Sequence, residues 1–385
     1  MEILMIAPQP FFTNRGSPIN VFNKLKALSK MKHNITLLTF PEGKDVVLPN
    51  VIIKRVPLIP FLRNIPAGPS IHKLVYDIML LSYGILLIFK KNKYDIIHGH
   101  EIDGALIGSI LKTIGRKKLL YYDMHSSFVE QMKNVKLVKT NFFNSIFGSL
   151  EGYVYRRSDK VLIISPSFKK RLSEFDQEHK AIFLPDNPAM ENEEIDDILL
   201  KKLKEKFKHN KIILYMGTLE PYQGISLLLN TFKIIEEREN NVSLLIVGGQ
   251  KEQIDKFREL SKQLDSKNVY FIGKQPLEKM PTYLNLSDIV ISPRLTGTNI
   301  PLKIYVFLRA GKAIVATDIP AHNLILEDKK NALLTKTEEN DMVDTILVLL
   351  KNQDIKKTIE EGAKKLYLSN FSREEYEKNL EKIYS

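Results

Sequence analysis

A chain of 385 residues without a single cysteine can carry neither a disulfide framework nor a thiolate metal site, and its length suits two domains of ordinary size. Apolar residues at 44% and charged residues at 26% are globular proportions that exclude a low-complexity or fibrous chain. The charge is one-sided: residues 1–190 hold 27 Lys and Arg against 15 Asp and Glu, whereas residues 191–385 hold 30 of each. The basic half points to an anionic partner, either a membrane surface or nucleic acid, with a solvated lysine-rich face as the plain alternative.

Residues 1–7, MEILMIA, lack the basic start and long apolar core of a signal peptide and read as a strand. Further short apolar runs follow at 35–40, 51–56, 95–99, 118–123, 160–165 and 181–184. The run YDIMLLSYGILLIF, 76–89, is flanked by Lys73, Lys90, Lys91 and Lys93; it is too short for a bilayer and is expected as a buried or interfacial helix. Residues 185–197, PDNPAMENEEIDD, have no apolar period and read as a linker. The pattern then restarts, with strands expected at 212–217, 243–249, 269–273, 288–293 and 313–317.

Strands alternating with helical patterns predict an α/β chain of two doubly wound, Rossmann-like domains, over 1–187 and 188–370. The last segment, 371–385, opens on the capping box Ser372-x-x-Glu375 and predicts a terminal helix. In such sheets ligands bind beyond the carboxyl ends of the strands where strand order reverses, and two facing domains would enclose a cleft.

Four turns could carry chemistry. After the first strand, Arg15 and Gly16 precede Ser17 and Pro18, which look like the cap and first turn of a helix, an arrangement that favours an anion. At the ends of the fourth and fifth strands, IIHGHEIDG and YYDMHSS put His98, His100 and His125 where side chains leave the sheet. His98 alone reads as a packed histidine and His125 as the better site candidate. A Ser–His hydrolase is disfavoured because no G-x-S-x-G elbow precedes any serine. In YMGTLEPYQG, Gly217 ends a strand and Gly224 opens a helix. In SPRLTGTNIPLK, the backbone at Gly297, Thr298 and Asn299 offers N–H groups at a helix start beginning near Pro301, with Arg294 and Lys303 able to add charge-assisted bonds to one anion. Ordinary turn chemistry accounts for either loop alone; the two together favour a diphosphate. No Walker A run and no Asp-x-Asp pair is present, so a metal-held diphosphate and a metal cofactor are not expected.

In order along nearly the whole chain, ILMIAPQPFFTNRGSPIN, DIIHGHEIDGAL, YYDMHSS, YRRSDKVLIISPSFKKRL, ILYMGTLEPYQGISLLLNTF, SLLIVGG, VYFIGK, SDIVISPR and LRAGKAIVATDIP resemble family four of the retaining GT-B glycosyltransferases. The resemblance implies two facing Rossmann-like domains, the N-terminal one binding the acceptor and the C-terminal one the nucleotide-sugar donor, with the last helix crossing back. It implies Gly16 beside the donor diphosphate, His125 against the transferred sugar, and Gly273 and Lys274 near the nucleobase. No cofactor is implied beyond the nucleotide-sugar itself.

Four positions depart from the family. An Arg and a Lys that touch the diphosphate read here as Thr218 and Gln223. Two glutamates eight residues apart, the second on the ribose, read as Thr298 and Val306. The run GTNIPLKIY is similar to a pattern in a subset of the family, and Arg294 and Lys303 are expected to take over the phosphate role. The expected activity is metal-independent transfer of a sugar to a glycan or lipid-linked acceptor. The enzyme would be cytoplasmic, or peripheral at the inner face of an anionic membrane contacted through 76–89 and the run FFNSIFGSLEGYVYRR. In that run Phe142, Phe143, Ile146, Phe147 and Leu150 equally suit a core stripe. A non-catalytic scaffold binding a glycan or a partner enzyme is the alternative; no nucleic-acid module is recognisable.

Overall fold

The computed structural model describes residues 1–13, 16–63, 65, 70–91, 94–115, 118–126, 141–185, 194–297 and 299–385. The chain divides into two compact units, Met1–Ala189 together with Tyr376–Ser385, and Met190–Glu375. In the first unit seven parallel strands lie in the order β3-β2-β1-β4-β5-β6-β7. They are β1 (Glu2–Ala7), β2 (Asn34–Thr39), β3 (Val51–Arg55), β4 (Ile96–His100), β5 (Leu119–Met124), β6 (Lys160–Ile163) and β7 (Ala181–Phe183). Successive side chains of a strand leave opposite faces. On one face Ile3, Met5 and Ala7 of β1 meet Val21, Leu25 and Leu28 of the helix Gly16–Lys30 and Tyr376, Leu380 and Tyr384 of the final helix, Arg373–Tyr384. On the other, Leu4 and Ile6 meet Tyr76, Leu80 and Leu111 of the helices Ile71–Lys91 and Glu101–Gly115.

The second unit repeats the plan with six parallel strands in the order β10-β9-β8-β11-β12-β13. These are β8 (Lys211–Met216), β9 (Val242–Val247), β10 (Val269–Gly273), β11 (Ile289–Ser292), β12 (Ala313–Thr317) and β13 (Leu333–Thr335). Ile212, Leu214 and Met216 enter one core, and Ile213 and Tyr215 the other. Strand order therefore reverses between β1 and β4 in the first unit and between β8 and β11 in the second, where the loops that follow these strands part to leave a crevice.

Three readings need correction. β13 was not expected: its three residues, LLT, carry too little pattern to separate from a loop. The apolar helix is not confined to 76–89 but runs for 21 residues, Ile71–Lys91, and its first 20 residues average a hydropathy of 1.6, long and apolar enough to cross a membrane by length and composition. Lys73 and Asp77 interrupt the apolar run, but Lys73 pairs with Asp103 of the neighbouring helix, while burial first and Asp103 second push Asp77 up to about 8, towards its neutral form. Tyr76, Leu80 and Ile88 commit one face of this helix to the core, which a true span would have to abandon. Finally, Pro301 caps the helix Leu302–Arg309 from outside rather than starting it. Most of the expected linker, 186–193, lies outside the described residues. Its end is a cap: Asp196 accepts a 2.9 Å hydrogen bond from the Leu199 N–H at the head of Asp197–Lys206. The final helix starts as its capping serine predicts, with the Glu375 N–H donating to Ser372 Oγ at 3.2 Å.

Gly99 of β4 lets the helix Glu101–Gly115 approach closely: a Cβ there would lie 2.5 Å from the Ala105 nitrogen and the Gly104 carbonyl. Gly99→Ala is expected to cost about 1–3 kcal/mol and lower the melting temperature by several degrees. A melting temperature equal to that of the parent by circular dichroism would show that the helix can retreat without loss.

Candidate active site

In the second unit, two loops flank the point where strand order reverses, one after β8 and one after β11. Tyr215 and Gly217 are two residues apart and share a face of the strand end. Gly217 has φ +143°, a conformation that side chains resist, and a Cβ there would come within 3.0 Å of the Lys303 ammonium. Lys303, from the first turn of Leu302–Arg309, reaches under this turn. Its Nζ lies 4.0 Å from the centre of the Tyr215 ring and donates to Gln223 Oε1 at 3.1 Å. The Tyr215 hydroxyl donates to the Thr218 carbonyl and, at 3.3 Å, to the same Gln223 oxygen. Among the described residues no carboxylate faces Lys303; burial first, and Arg294 second, lower its pKa to about 7.

Arg294 orders the second loop. Its Nε donates to the Thr296 carbonyl at 2.7 Å and its Nη1 to the Asn299 carbonyl at 3.1 Å, with the guanidinium 5.2 Å from the centre of the Tyr222 ring. Gly297 lies against the guanidinium with φ +144°. Asn299 Oδ1 is buried without a hydrogen-bond partner among the described residues. A 2.9 Å bond from the Leu295 N–H to the Tyr222 carbonyl joins the two loops. Gly217, Thr218, Gln223, Arg294, Gly297, Asn299 and Lys303 thus come together, whereas Thr298 lies outside the described residues. Gly273 ends β10, two strands away from β8 and so about 10 Å off, and Lys274 follows it, exposed. Val306, one turn on from Lys303, packs against the core and lines a separate cavity of about 280 Å³ with Leu284, Arg309 and Lys312.

In the first unit the carboxyl ends of β4 and β5 carry a buried cluster. Asp123 Oδ2 is paired with Lys24, and lies 2.8 Å from His100 Nδ1, 3.3 Å from His125 Nε2 and 3.6 Å from His98 Nε2. Glu101 faces His125 at 4.0 Å and accepts from Ser126 Oγ at 3.2 Å. Gly16 opens the helix that carries Lys24; Arg15 lies outside the described residues. Burial opposes ionisation of Asp123, yet Lys24, then His125 and His100, outweigh it and hold the carboxyl well below its usual range. Burial likewise lowers His98 to about 4 and His100 well below its ordinary value, so both are neutral imidazoles. His98, His100 and Asp123 offer three ligand atoms within 4.8 Å of one another, but the Lys24 ammonium already takes the carboxylate, so the set is better suited to an ion-pair network than to a dication.

Sequence reasoning passed over Tyr215, Lys24, Asp123 and Tyr384. Asp123 had a signal, since it alternates with His125 on the strand that YYDMHSS ends. Lys24 and Tyr384 are brought in by the tertiary fold alone.

Each parallel sheet carries a polar cluster beside the point where its strand order reverses, which is where open α/β sheets hold ligands. The family described as Glycosyltransferase Family 4 matches residues 16–184, and that described as Glycosyl transferases group 1 matches residues 196–366. The chain belongs to the GT-B glycosyltransferases of family four, and it is an enzyme of that class. An uncharacterized glycosyltransferase of Methanocaldococcus jannaschii is 25% identical over 87% of this chain and 84% of its own. The phosphatidyl-myo-inositol mannosyltransferase of Mycolicibacterium smegmatis is 21% identical over 92% of this chain and 86% of its own. Among solved structures, Anabaena HepE in complex with UDP and glucose superposes with a TM-score of 0.75 at 14% identity, covering 100% of this chain and 99% of that one.

The buried histidines make the fold acid-labile. His98 and His322 are lowered to about 4 and His100 well below its ordinary value, in each case by burial first; His322 is held between Ser292 Oγ and the Thr317 carbonyl. Each is neutral when folded but takes a proton near pH 6.5 when unfolded, so the histidines' contribution is level above about pH 7 and falls by up to ~1.4 kcal/mol per pH unit per group between about pH 6.5 and 4, with the protonated Asp77 offsetting one of the three there. Melting temperatures that do not change across that window would contradict it.

Proposed function

We propose that this glycosyltransferase is retaining and metal-independent, and moves a sugar from a nucleotide-sugar donor to a hydroxyl of a lipid-linked or cell-envelope glycan. The observation that carries the reading is Lys303: a half-buried ammonium drawn under the Gly217 turn at the β8–β11 switch point, with a ring and an amide for partners where an anion would complete the set. Lys303 and Arg294, with the N–H groups that open Leu302–Arg309, stabilise the departing diphosphate electrostatically. Asn299, whose amide can turn either its oxygen or its NH2 outward, adds a neutral contact to the same group. His125 lies beside the transferred sugar, and the acceptor hydroxyl attacks on the face from which the diphosphate leaves. Two protein cations supply the charge that a metal–diphosphate complex would otherwise need. Gly273 and Lys274 serve the nucleobase.

The acceptor side is supported by the outer face of Ile71–Lys91. Ile71, Leu74, Ile78, Leu86 and Phe89 repeat at helical spacing and are 58–78% exposed, with the exposed Lys90 at one end. A basic first half with such a stripe suits peripheral contact with the inner, anionic face of a membrane, and a relative named for phosphatidyl-myo-inositol supports a lipid-borne acceptor. In the helix Asn141–Arg157, Phe147 and Leu150 pack on the core and Ile146 is exposed, while the side chains of Phe142 and Phe143 lie outside the described set.

Donor binding should take up a proton. An incoming diphosphate raises the Lys303 pKa from about 7, so above that pH affinity falls as pH rises, by up to about tenfold per unit. UDP-, GDP-, ADP- and CDP-sugars are screened by thermal shift, and the stabilising one is titrated calorimetrically at about pH 8 in two buffers of different ionisation enthalpy. Lys303→Ala is expected to weaken that donor about 10–100-fold and abolish proton uptake. Tight binding with no uptake in the parent, or unchanged affinity in the variant, would defeat the assignment. For the membrane, Leu74→Glu with Phe89→Glu should reduce co-sedimentation with phosphatidylglycerol-containing vesicles at least several-fold and leave the donor thermal shift intact. Equal sedimentation of parent and variant would rule this face out.

A further inference from the structure

The final helix ends inside the first unit's polar cluster. The Ile383 carbonyl accepts from Lys160 Nζ and, at 3.3 Å, from the Tyr121 hydroxyl. Tyr384 is buried; its ring lies parallel to that of His98 at 6.1 Å and edge-on to Tyr121 at 5.3 Å, and its hydroxyl meets His98 Nδ1. Burial raises the Tyr384 phenol well above its ordinary value, so it keeps its proton, and His98 Nδ1 is the one acceptor that its hydroxyl meets among the described residues, which makes the hydroxyl the donor. His98 Nδ1 is then the acceptor, and the single proton of the neutral ring belongs on Nε2. That nitrogen faces Asp123 Oδ2 across 3.6 Å without a hydrogen bond, so the contact is electrostatic, and the same oxygen lies 3.3 Å from His125 Nε2.

We propose that Tyr384, the penultimate residue, is a positioning residue for His125: it selects the His98 tautomer whose Nε2–H faces Asp123, and so fixes the carboxylate that orients the His125 ring. This rests on the reading of His125 as the group beside the transferred sugar. The groups that face Asp123 are Lys24 from Gly16–Lys30, His98 and His100 from β4, and His125 beyond β5; Glu101 faces His125 from the other side. Lys24 fixes the charge of the cluster, and Tyr384 fixes where one of its protons sits. The ring alone, without its hydroxyl, would fill the same space and leave the tautomer of His98 open.

The test reads the imidazoles directly and needs no donor. Full-length protein labelled with ¹⁵N-histidine is compared by long-range proton–nitrogen correlation, with His98 and His125 signals assigned by substitution. Tyr384→Phe should leave the melting temperature near that of the parent, move His98 away from a pure Nε2–H tautomer and shift the His125 ring signals. His98→Gln, whose amide can present an N–H towards Asp123, should largely preserve the His125 signals, and His98→Leu should displace them. If His98 responds to Tyr384→Phe while His125 does not, or if neither does, the proposal fails. Should Tyr384→Phe fail to fold, the Gln–Leu pair at His98 decides it, equal His125 spectra in the two overturning it. With whichever sugar nucleotide stabilises the parent, kcat for donor hydrolysis in Tyr384→Phe should fall several-fold at unchanged KM. The absence of any stabilising donor would count against the donor reading and leave the imidazole result standing.

Discussion

A carboxylate that is 1% exposed stays ionised only if its surroundings repay the water it has lost, and Asp123 sets that demand on the whole first unit. β5 delivers the carboxylate, the helix after β1 delivers Lys24, β4 delivers two imidazoles, and the last turn of the chain delivers a phenol. The strand order β1-β4-β5 places these side chains at neighbouring carboxyl ends. Breaking a buried pair such as Lys24–Asp123 typically costs about 3–5 kcal/mol, because the survivor is left charged and unsolvated. The pair also explains why the histidines are neutral: one ammonium already balances the carboxylate, so a further proton gains little against the cost of burial. The cluster is thus a rigid frame in which protons, rather than charges, remain to be placed.

The second unit meets the opposite condition. Lys303 has a ring and an amide oxygen for company, and no carboxylate among the described residues. Such an ammonium sits near its point of deprotonation at neutral pH, and the group that would restore its charge is an anion. The first unit is electrostatically closed and the second is open. That asymmetry suits a chain in which one cluster orients a ring and the other receives a dianion.

Much of this was legible in the residues. Strands covered on both faces read as short apolar runs, and twelve of them stand out because helices pack on each side of both sheets. The exceptions have physical reasons. β13 is too short for a period to register. The start of Ile71–Lys91 is masked by Lys73 and Asp77, whose charges are handled by Asp103 on another helix and by burial. The site was half legible. Residues two apart on a strand end, Asp123 with His125 and Tyr215 with Gly217, follow from alternation. Lys24 is 99 residues from Asp123, and Tyr384 is 286 from His98, so neither contact has any local trace.

Val306 and Gln223 lose their oddness when taken together with Lys303. A glutamate at 306 would sit three residues along the helix from Lys303, close enough to form an intrahelical ion pair that would neutralise it. A lysine at 223 would bring a second ammonium to within a few ångströms of the first, a repulsion of about 4 kcal/mol at an intermediate dielectric. Glutamine there instead accepts a hydrogen bond from the Lys303 ammonium at 3.1 Å. Valine at 306 leaves that ammonium without a competing carboxylate and packs, partly buried, against the core. With lysine on the helix, neither the family's usual lysine nor its usual glutamate could stay without spoiling it. On the proposed donor reading, the departures that the resemblance implies amount to one exchange, in which the phosphate-facing cation would move from the loop after β8 to the helix after β11. Such an exchange keeps the positive charge at the crevice and gives up a carboxylate on the ribose, so donor recognition would lean more on the diphosphate than on the sugar ring of the nucleoside.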